Sequence, residues 1–334
     1  MSAQRVGFVG LGAMGRFMAR NLARHIHSIG LPPLTVYNRT RTKCDDLQKD
    51  VGVHSVNVAN NLEEVARSCD VILTNLANDG AVKAVYTEFK QALTGFKFDH
   101  HKLFVETSTC YPTFLEELEG FMNELPRTEL VACPVFGAPT AADKAQLILV
   151  MAGDQRVKGE LTKLLVPSIG RKVIDVGGSI KKAPTLKLIG NSVVIGCIEV
   201  ISEALTLGEK AGIDVHAIVG VLKDLFPNTP LGLKLCRIIA NNAFDGSKTF
   251  AIDNGLKDAG HIRSLAAEYN SPMPTTDLAH QHMLTARAIH TRQKAEGTPN
   301  YDVLSFTALA AGSRAAAGLN GLDSSEDIKV EKEE

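Results

Sequence analysis

No sign of charge predominates in this 334-residue chain: 36 lysines and arginines face 37 aspartates and glutamates, a formal net charge of −1. So even a balance gives no basic footprint for a phosphate backbone, and no nucleic-acid partner is expected. No uninterrupted apolar run reaches about 18 residues, so neither a transmembrane helix nor a membrane partner is expected. The six cysteines (Cys44, Cys69, Cys110, Cys133, Cys197, Cys236) contain no C-x-x-C pair. That excludes a disulfide framework or zinc ribbon and reads as reduced core thiols. His100-His101 and His280-Gln281-His282 lack a third ligand at suitable spacing, so no metal is expected. There is no internal repeat, and Arg5–Gly10 already reads as a first strand, leaving no room for a targeting peptide. A cytoplasmic protein is the expectation. What remains, 45% hydrophobic and 22% charged, is ordinary globular composition, and the length predicts two domains.

Short apolar runs bounded by turn residues recur through the first half: Arg5–Val9, Leu34–Tyr37, Val71–Leu76, Leu103–Glu106, Leu130–Val135, Leu147–Ala152 and Val173–Val176. Continuous apolar character at that length suits strands buried on both faces. Helix-like stretches such as Met14–Ser28, Asn61–Ser68 and Pro112–Leu125 separate several of them. Strand alternating with helix predicts an α/β fold, a doubly wound parallel sheet of Rossmann type. After Gly178 the strand signal stops. A helix over residues 182–211 follows, about 45 Å long at 1.5 Å per residue. It is apolar nearly all round and so is expected to be buried, between domains or against a second subunit. Further helices are expected at Val215–Leu225, Pro230–Asn241, Gly255–Tyr269 and Thr275–Arg292. The organisation read is therefore a cofactor-binding domain over 1–178, an all-helical domain over 179–318, and a disordered acidic tail over 319–334.

Gly10-Leu11-Gly12-Ala13-Met14-Gly15 has the spacing G-x-G-x-x-G. Glycines so spaced also arise in plain turns, but here the pattern follows a strand and opens a helix. Gly10 permits the tight turn, Gly12 lets the backbone approach a pyrophosphate, and Gly15 lets helix and strand pack closely. The helix N-terminus offers N–H groups and partial positive charge to the phosphates. An NAD site places Asp or Glu at the end of the second strand, whereas this chain has Asn38-Arg39-Thr40. Asn38 carries no charge to repel a 2′-phosphate, Arg39 can pair with it, and Thr40 doubles as an N-cap. NADP, used as NADPH, is the expected cofactor. Asn75 and Leu76, at the end of a strand, are further cofactor candidates.

Hydride transfer to a carbonyl needs a proton donor near the oxygen, where negative charge develops. Lys187 and Asn191 lie four residues apart on the long helix and share a face. Taken alone, such a lysine is equally read as a solvated side chain. Loops at the carboxyl ends of parallel strands bind ligands in open α/β sheets. Two stand out: Glu106-Thr107-Ser108-Thr109, whose Ser108 and Thr109 carry hydroxyls, and Phe136-Gly137-Ala138, whose backbone can offer N–H groups to an anion.

Together these residues resemble the β-hydroxyacid dehydrogenases, the family of 3-hydroxyisobutyrate dehydrogenase, tartronate semialdehyde reductase and the glyoxylate and succinic semialdehyde reductases. The resemblance runs from Gly7 to about Ala311. The glycine loop is similar to the family's cofactor motif, and Tyr37–Thr40 to the version in NADPH-using semialdehyde reductases. Lys187-Leu188-Ile189-Gly190-Asn191 resembles the catalytic motif and implies Lys187 as general acid with Asn191 beside it. Phe250 and Lys257-Asp258 match a later motif whose lysine faces nicotinamide and substrate. The resemblance implies reduction of a small carbonyl acid to the hydroxy acid in a homodimer or homotetramer, with Ser108, Thr109, Phe136, Gly137 and Ala138 at the substrate. The alternatives are an NAD-dependent 3-hydroxyisobutyrate dehydrogenase and a non-catalytic NADP-binding protein. Many members carry Ser-Gly-Gly where this chain has Phe136-Gly137-Ala138. A hydroxyl is exchanged there for an apolar wall, which favours a larger or less polar carbonyl compound. Imine reductases share the architecture and generally lack the lysine.

Overall fold

The computed structural model describes residues 4–98 and 100–323; Ser324–Glu334, most of the acidic tail, lies outside the described residues. The chain forms two compact units that divide between Lys187 and Leu188.

In the first unit strands and helices alternate: β1 Val6–Val9, α1 Gly15–Ser28, β2 Leu34–Tyr37, α2 Thr42–Val51, β3 Val56–Val58, α3 Leu62–Ser68, β4 Val71–Thr74, α4 Asp79–Leu93, β5 Lys102–Glu106, α5 Pro112–Asn123 and β6 Thr128–Ala132. The six strands make one parallel sheet in the order β3-β2-β1-β4-β5-β6. The order reverses between β1 and β4, so the loops leaving them part to opposite sides and open a crevice. Alternate side chains feed two cores. Phe8, Leu73 and Val105 join Met18, Leu22 and Ile26 of α1 on one face. Val9, Ile72 and Phe104 join Val65, Val82, Tyr86 and Phe89 on the other. This is the doubly covered Rossmann-type sheet that the uninterrupted apolar runs predict.

The expected strand Leu130–Val135 is two strands. Pro134 has no N–H for a ladder, so β6 stops at Ala132 and β7 Val135–Phe136 starts a second sheet. After α6 Pro139–Asp143 come β8 Leu147–Met151, α7 Gln155–Leu165 and β9 Gly170–Asp175. That sheet, β7-β8-β9, is mixed, antiparallel at β7/β8 and parallel at β8/β9. The expected strand Val71–Leu76 ends at Thr74, leaving Asn75 and Leu76 in the loop.

The long helix α8 spans Lys182–Lys210 and carries the chain into the second unit. There follow α9 Val215–Leu225, α10 Pro230–Ala240, α11 Ile252–Glu268, α12 Pro274–Glu296, a 3-10 turn Phe306–Leu309 and α13 Ala310–Ala316. Leu322, within the expected tail, is buried, and Asp323 Oδ1 accepts from Asn242 Nδ2 at 3.2 Å. By length and composition alone α8 is long and apolar enough to cross a membrane, although no single apolar run in it is that long. Within the single chain it is not buried all round: Ile189, Val193, Val200 and Leu207 are 52–70% exposed. Its polar residues turn inward instead. Ser192, Glu199, Ser202, Thr206 and Glu209 are buried, and His282 Nδ1 lies 2.7 Å from Glu199 Oε1.

Arg314 is 1% exposed and bonds Glu209 at 3.0 Å and Asn242 Oδ1 at 2.6 Å. Removing one partner of a buried pair strands the other charge, at a cost of roughly 3–5 kcal/mol. Arg314→Met is therefore expected to lower the unfolding free energy by that amount, read as a lower urea midpoint at unchanged slope, and Arg314→Met/Glu209→Leu to recover most of it. Equal midpoints for Arg314→Met and the parent would show that the pair contributes nothing.

Candidate active site

The glycine loop is shaped by contacts that only hydrogen atoms allow. Gly10 has φ +99°, and a Cβ there would collide with the Asn75 carbonyl; one on Gly15 would collide with the Gly10 carbonyl. A Cβ on Gly12 would meet nothing within 4 Å, so its space lies open above the loop. The Gly10 N–H donates to the Tyr37 carbonyl at 3.0 Å, and the Leu11 N–H to Asn38 Oδ1 at 2.9 Å. Gly12 and Ala13 are exposed, and no acceptor among the described residues takes their N–H groups. Met14, half-buried, opens α1. Glycines that pack where packing is needed, and an open position with free donors at a helix N-terminus, are what a dinucleotide pyrophosphate requires.

At the end of β2 the Asn38 side chain is spent on the loop: besides accepting from Leu11 it donates from Nδ2 to the Thr40 carbonyl at 3.0 Å. Arg39 is exposed, and no carboxylate pairs with it among the described residues. Thr40 does not cap a helix as expected. The residue before α2 is Arg41, itself in a helical conformation, and no side chain caps that end.

The ends of β4 and β5 are knitted together beside this loop. Asn75 Nδ2 donates to Thr107 Oγ1 at 3.0 Å, and Thr107 Oγ1 donates to the Thr74 carbonyl at 2.6 Å. The Leu76 N–H donates to Ser108 Oγ at 2.7 Å. Ser108 is only 2% exposed, so its hydroxyl, read from the sequence as a substrate donor, is engaged inside the protein. Thr109 is half-buried at the rim. Beneath them lies Glu106, fully buried, which the sequence named only as the first residue of this loop and gave no role. It accepts from Thr74 Oγ1 and from the Ser108 N–H, both at 2.7 Å, and Thr74 Oγ1 is 3.1 Å from the Tyr86 hydroxyl. Burial pushes its carboxyl up to about 7 against the opposing hydrogen bonds from Ser108 and Thr74. Burial, with the Glu106 carboxyl and Cys110 adding to it, also raises the Tyr86 phenol.

Phe136 and Lys187 meet although 51 positions separate them. Lys187 is 8% exposed, and its Nζ stands 4.4 Å from the centre of the half-buried Phe136 ring. Gly137 has φ +141° and, with Ala138, exposes backbone before α6.

The second unit gathers another cluster. Asn191 Nδ2 donates to Asp258 Oδ2 at 2.7 Å, and Lys257 Nζ is 3.1 Å from Asp258 Oδ1. Asp258 is 1% exposed. It holds both polar residues that the sequence singled out in this unit. Its only signal in the sequence was its place next to Lys257. Phe250 packs edge-on against Phe306 at 5.1 Å nearby.

Two family models match the chain. One, described as the NAD binding domain of 6-phosphogluconate dehydrogenase, covers residues 5–178. The other, described as NAD-binding of NADP-dependent 3-hydroxyisobutyrate dehydrogenase, covers residues 182–298. The chain is 30% identical to the uncharacterized oxidoreductase YfjR of Bacillus subtilis, over 83% of this chain and 92% of that protein. It is 28% identical to the NADH-dependent oxidoreductase ucdB of Aspergillus ustus (81% and 88% covered). It is also 28% identical to glyoxylate/succinic semialdehyde reductase 1 of Arabidopsis thaliana (85% and 93% covered). In fold it resembles 3-hydroxyisobutyrate dehydrogenase of Mycobacterium tuberculosis, with TM-score 0.72, 22% identity, and 92% and 98% of the two chains covered. The chain belongs to the β-hydroxyacid dehydrogenase family and is an oxidoreductase that uses a nicotinamide cofactor.

The loop geometry separates two kinds of glycine. Gly12→Ala is expected to keep the parent's melting temperature and to weaken cofactor binding, read by fluorescence titration, by roughly tenfold or more, the equivalent of about 1.4 kcal/mol. Gly10→Ala is expected to destabilise the protein itself, since its Cβ meets backbone in a left-handed conformation. The reverse pattern would mean that the loop is a plain turn.

Proposed function

We propose that this protein is an NADPH-dependent reductase that converts a small aldehyde or semialdehyde acid, of the glyoxylate or succinic semialdehyde class, to the hydroxy acid, with Lys187 as general acid. The observation that carries the reading is the setting of Lys187. A solvated lysine would extend into water, but this one is buried at the start of α8 against an aromatic face.

When bound, the reduced nicotinamide supplies the hydride for the carbonyl carbon. Lys187 holds the proton for the carbonyl oxygen. Phe136 keeps water from the ammonium and walls the substrate position with an apolar ring, which favours a carbonyl compound larger or less polar than the smallest hydroxy-acid precursors. Asn191, held by Asp258, orients the reacting oxygen or the lysine. Thr109 and the Gly137-Ala138 backbone anchor the acid group, and Ser108 braces the loop that carries Thr109. Lys257 serves the cofactor side.

The preference for NADPH rests on the missing carboxylate at the end of β2 and on the exposed guanidinium of Arg39. A second reading, an NAD-dependent 3-hydroxyisobutyrate dehydrogenase, is favoured by one observation: Asn38 is committed to the loop, which leaves Arg39 to recognise a 2′-phosphate without it. An NADPH-oxidation screen over glyoxylate, succinic semialdehyde, methylmalonate semialdehyde, tartronate semialdehyde and uncharged aldehydes tests the function. The expected result is turnover of at least one, with NADPH preferred over NADH by roughly tenfold or more. Lys187→Ala is expected to lower kcat by roughly 10²–10⁴ with cofactor binding nearly unchanged. Full turnover in that variant would remove Lys187 from the mechanism, and a preference for NADH would favour the second reading.

The same reading includes self-association. Ile189, Val193, Val200 and Leu207 recur along one exposed side of α8. Val193 and Val200 also line an apolar cavity of about 960 Å³ with Leu222, Phe226 and Met273. A contiguous apolar surface of this kind marks an interaction site. We assign it to a second copy of the chain, in a homodimer or homotetramer. Val200→Asp is expected to yield a monomer by light scattering coupled to size exclusion, whereas an unchanged mass would place the contact elsewhere.

A further inference from the structure

We propose that Glu106 is a positioning residue that couples the proton it carries to the placement of two loops, one bearing Asn75 and Leu76 and the other Ser108 and Thr109. The proposal rests on the reading that these loops border the cofactor, and it adds to that reading a built-in response to pH.

The geometry makes Glu106 the joint of the two strand ends. One carboxyl oxygen accepts from Thr74 Oγ1 on β4, and the other from the Ser108 N–H two residues on. Ser108 Oγ in turn accepts from the Leu76 N–H, so a single bonded path runs from β4 through the carboxyl group to the β5 loop and back to the β4 loop. The Asn75–Thr107–Thr74 bonds close a second ring beside the first. The groups that face the carboxyl group are few. From α4 comes the Tyr86 phenol, 3.1 Å from Thr74 Oγ1; Cys110, beyond the loop, acts on that phenol. From the end of β6, Cys133 donates its N–H to the Glu106 carbonyl at 2.7 Å, its own thiol pushed by burial up to about 12. Among the described residues no Lys, Arg or His is paired with Glu106.

An ionised carboxylate in that setting has hydroxyls and an amide to stabilise it but no cation, so ionisation costs more than it does in water. The carboxyl group is also a donor only while protonated. While it carries the proton it can donate to Thr74 Oγ1, which then donates to Tyr86; once ionised it only accepts, so Thr74 donates to it and Tyr86 donates to Thr74. The folded carboxyl titrates near 7, above the usual value of 4.5. The folded state therefore holds a proton that the unfolded chain releases between those two values. The stability from this group is fully present below pH 4.5 and is lost as pH rises through about 7. The loops are thus held most firmly on the acid side of neutrality.

The test measures cofactor binding to the full chain by fluorescence titration, with NADPH and NADH in parallel, between about pH 6 and 8.5, the range that brackets the folded titration. In the parent the dissociation constant is expected to rise by several-fold up to about tenfold over that range, tenfold being the limit for a one-unit shift on binding. Glu106→Gln keeps the shape and cannot titrate, so its curve is expected to lack that rise; ionisation of the cofactor's own phosphates is common to both curves and cancels. Thr74→Val removes the donor that favours the carboxylate and is expected to move the rise to higher pH, which gives a reading even if Glu106→Gln does not fold. A Glu106→Gln curve that follows the parent, an unmoved rise in Thr74→Val, or no binding of either cofactor at any pH would overturn the proposal. A parent that prefers NADH but shows the pH difference would overturn only the NADPH assignment.

Discussion

The first unit depends on one absence, the missing side chain at Gly10. Strands β1 and β4 are neighbours in the sheet but their paired residues are 65 positions apart in the chain, and the exit of one lies against the carbonyl of Asn75 at the exit of the other. A single methyl group at Gly10 would push them apart. With hydrogen there, the Gly10 and Leu11 N–H groups reach Tyr37 and Asn38 from β2, while Asn75 reaches Thr107 beyond β5. Four strand ends are thereby tied into one rigid rim. Each bond is worth about 1 kcal/mol net, but their joint effect is positional, and a binding rim must be held to a fraction of an ångström.

That rim sorts its side chains into two tasks. The backbone of Gly12 and Ala13 stays open, whereas Asn38, Asn75, Thr107 and Ser108 turn their polar atoms to one another. A residue type suited to ligand binding therefore often serves the wall around the ligand. Ser108 and Asn38 show this most clearly, for both were read from the sequence as facing the ligand, and both are bonded within the protein.

What the sequence made legible follows from how local each signal is. The strand Leu34–Tyr37 and the helix Val215–Leu225 are found at the residues expected, because each is an apolar pattern bounded by its own turn residues. The glycine loop is legible for the same reason: its roles lie in six consecutive residues. Less could be read where a neighbour decides. Strand β3 has only three residues on a sheet edge and carries too short a pattern. Helix α8 carries apolar residues nearly all round, so its sequence cannot say which side faces solvent; its buried Glu199 and Glu209 become intelligible only beside His282 and Arg314. Glu106 and Asp258 were not assigned because an isolated acid has no local pattern, and what each does is set by residues far away in the chain.

Those two acids also show how one chemical group is put to different uses by its surroundings. Asp258 meets an ammonium at 3.1 Å and an amide at 2.7 Å, and so sets the position of Asn191. Glu106 meets hydroxyls and a backbone amide, the surroundings of a group that keeps its proton. The same contrast explains why an aromatic ring suits the neighbourhood of Lys187. A carboxylate at that distance would attract the ammonium and also compete for its proton as a base. The face of Phe136 attracts the charge through its quadrupole and has no site for the proton.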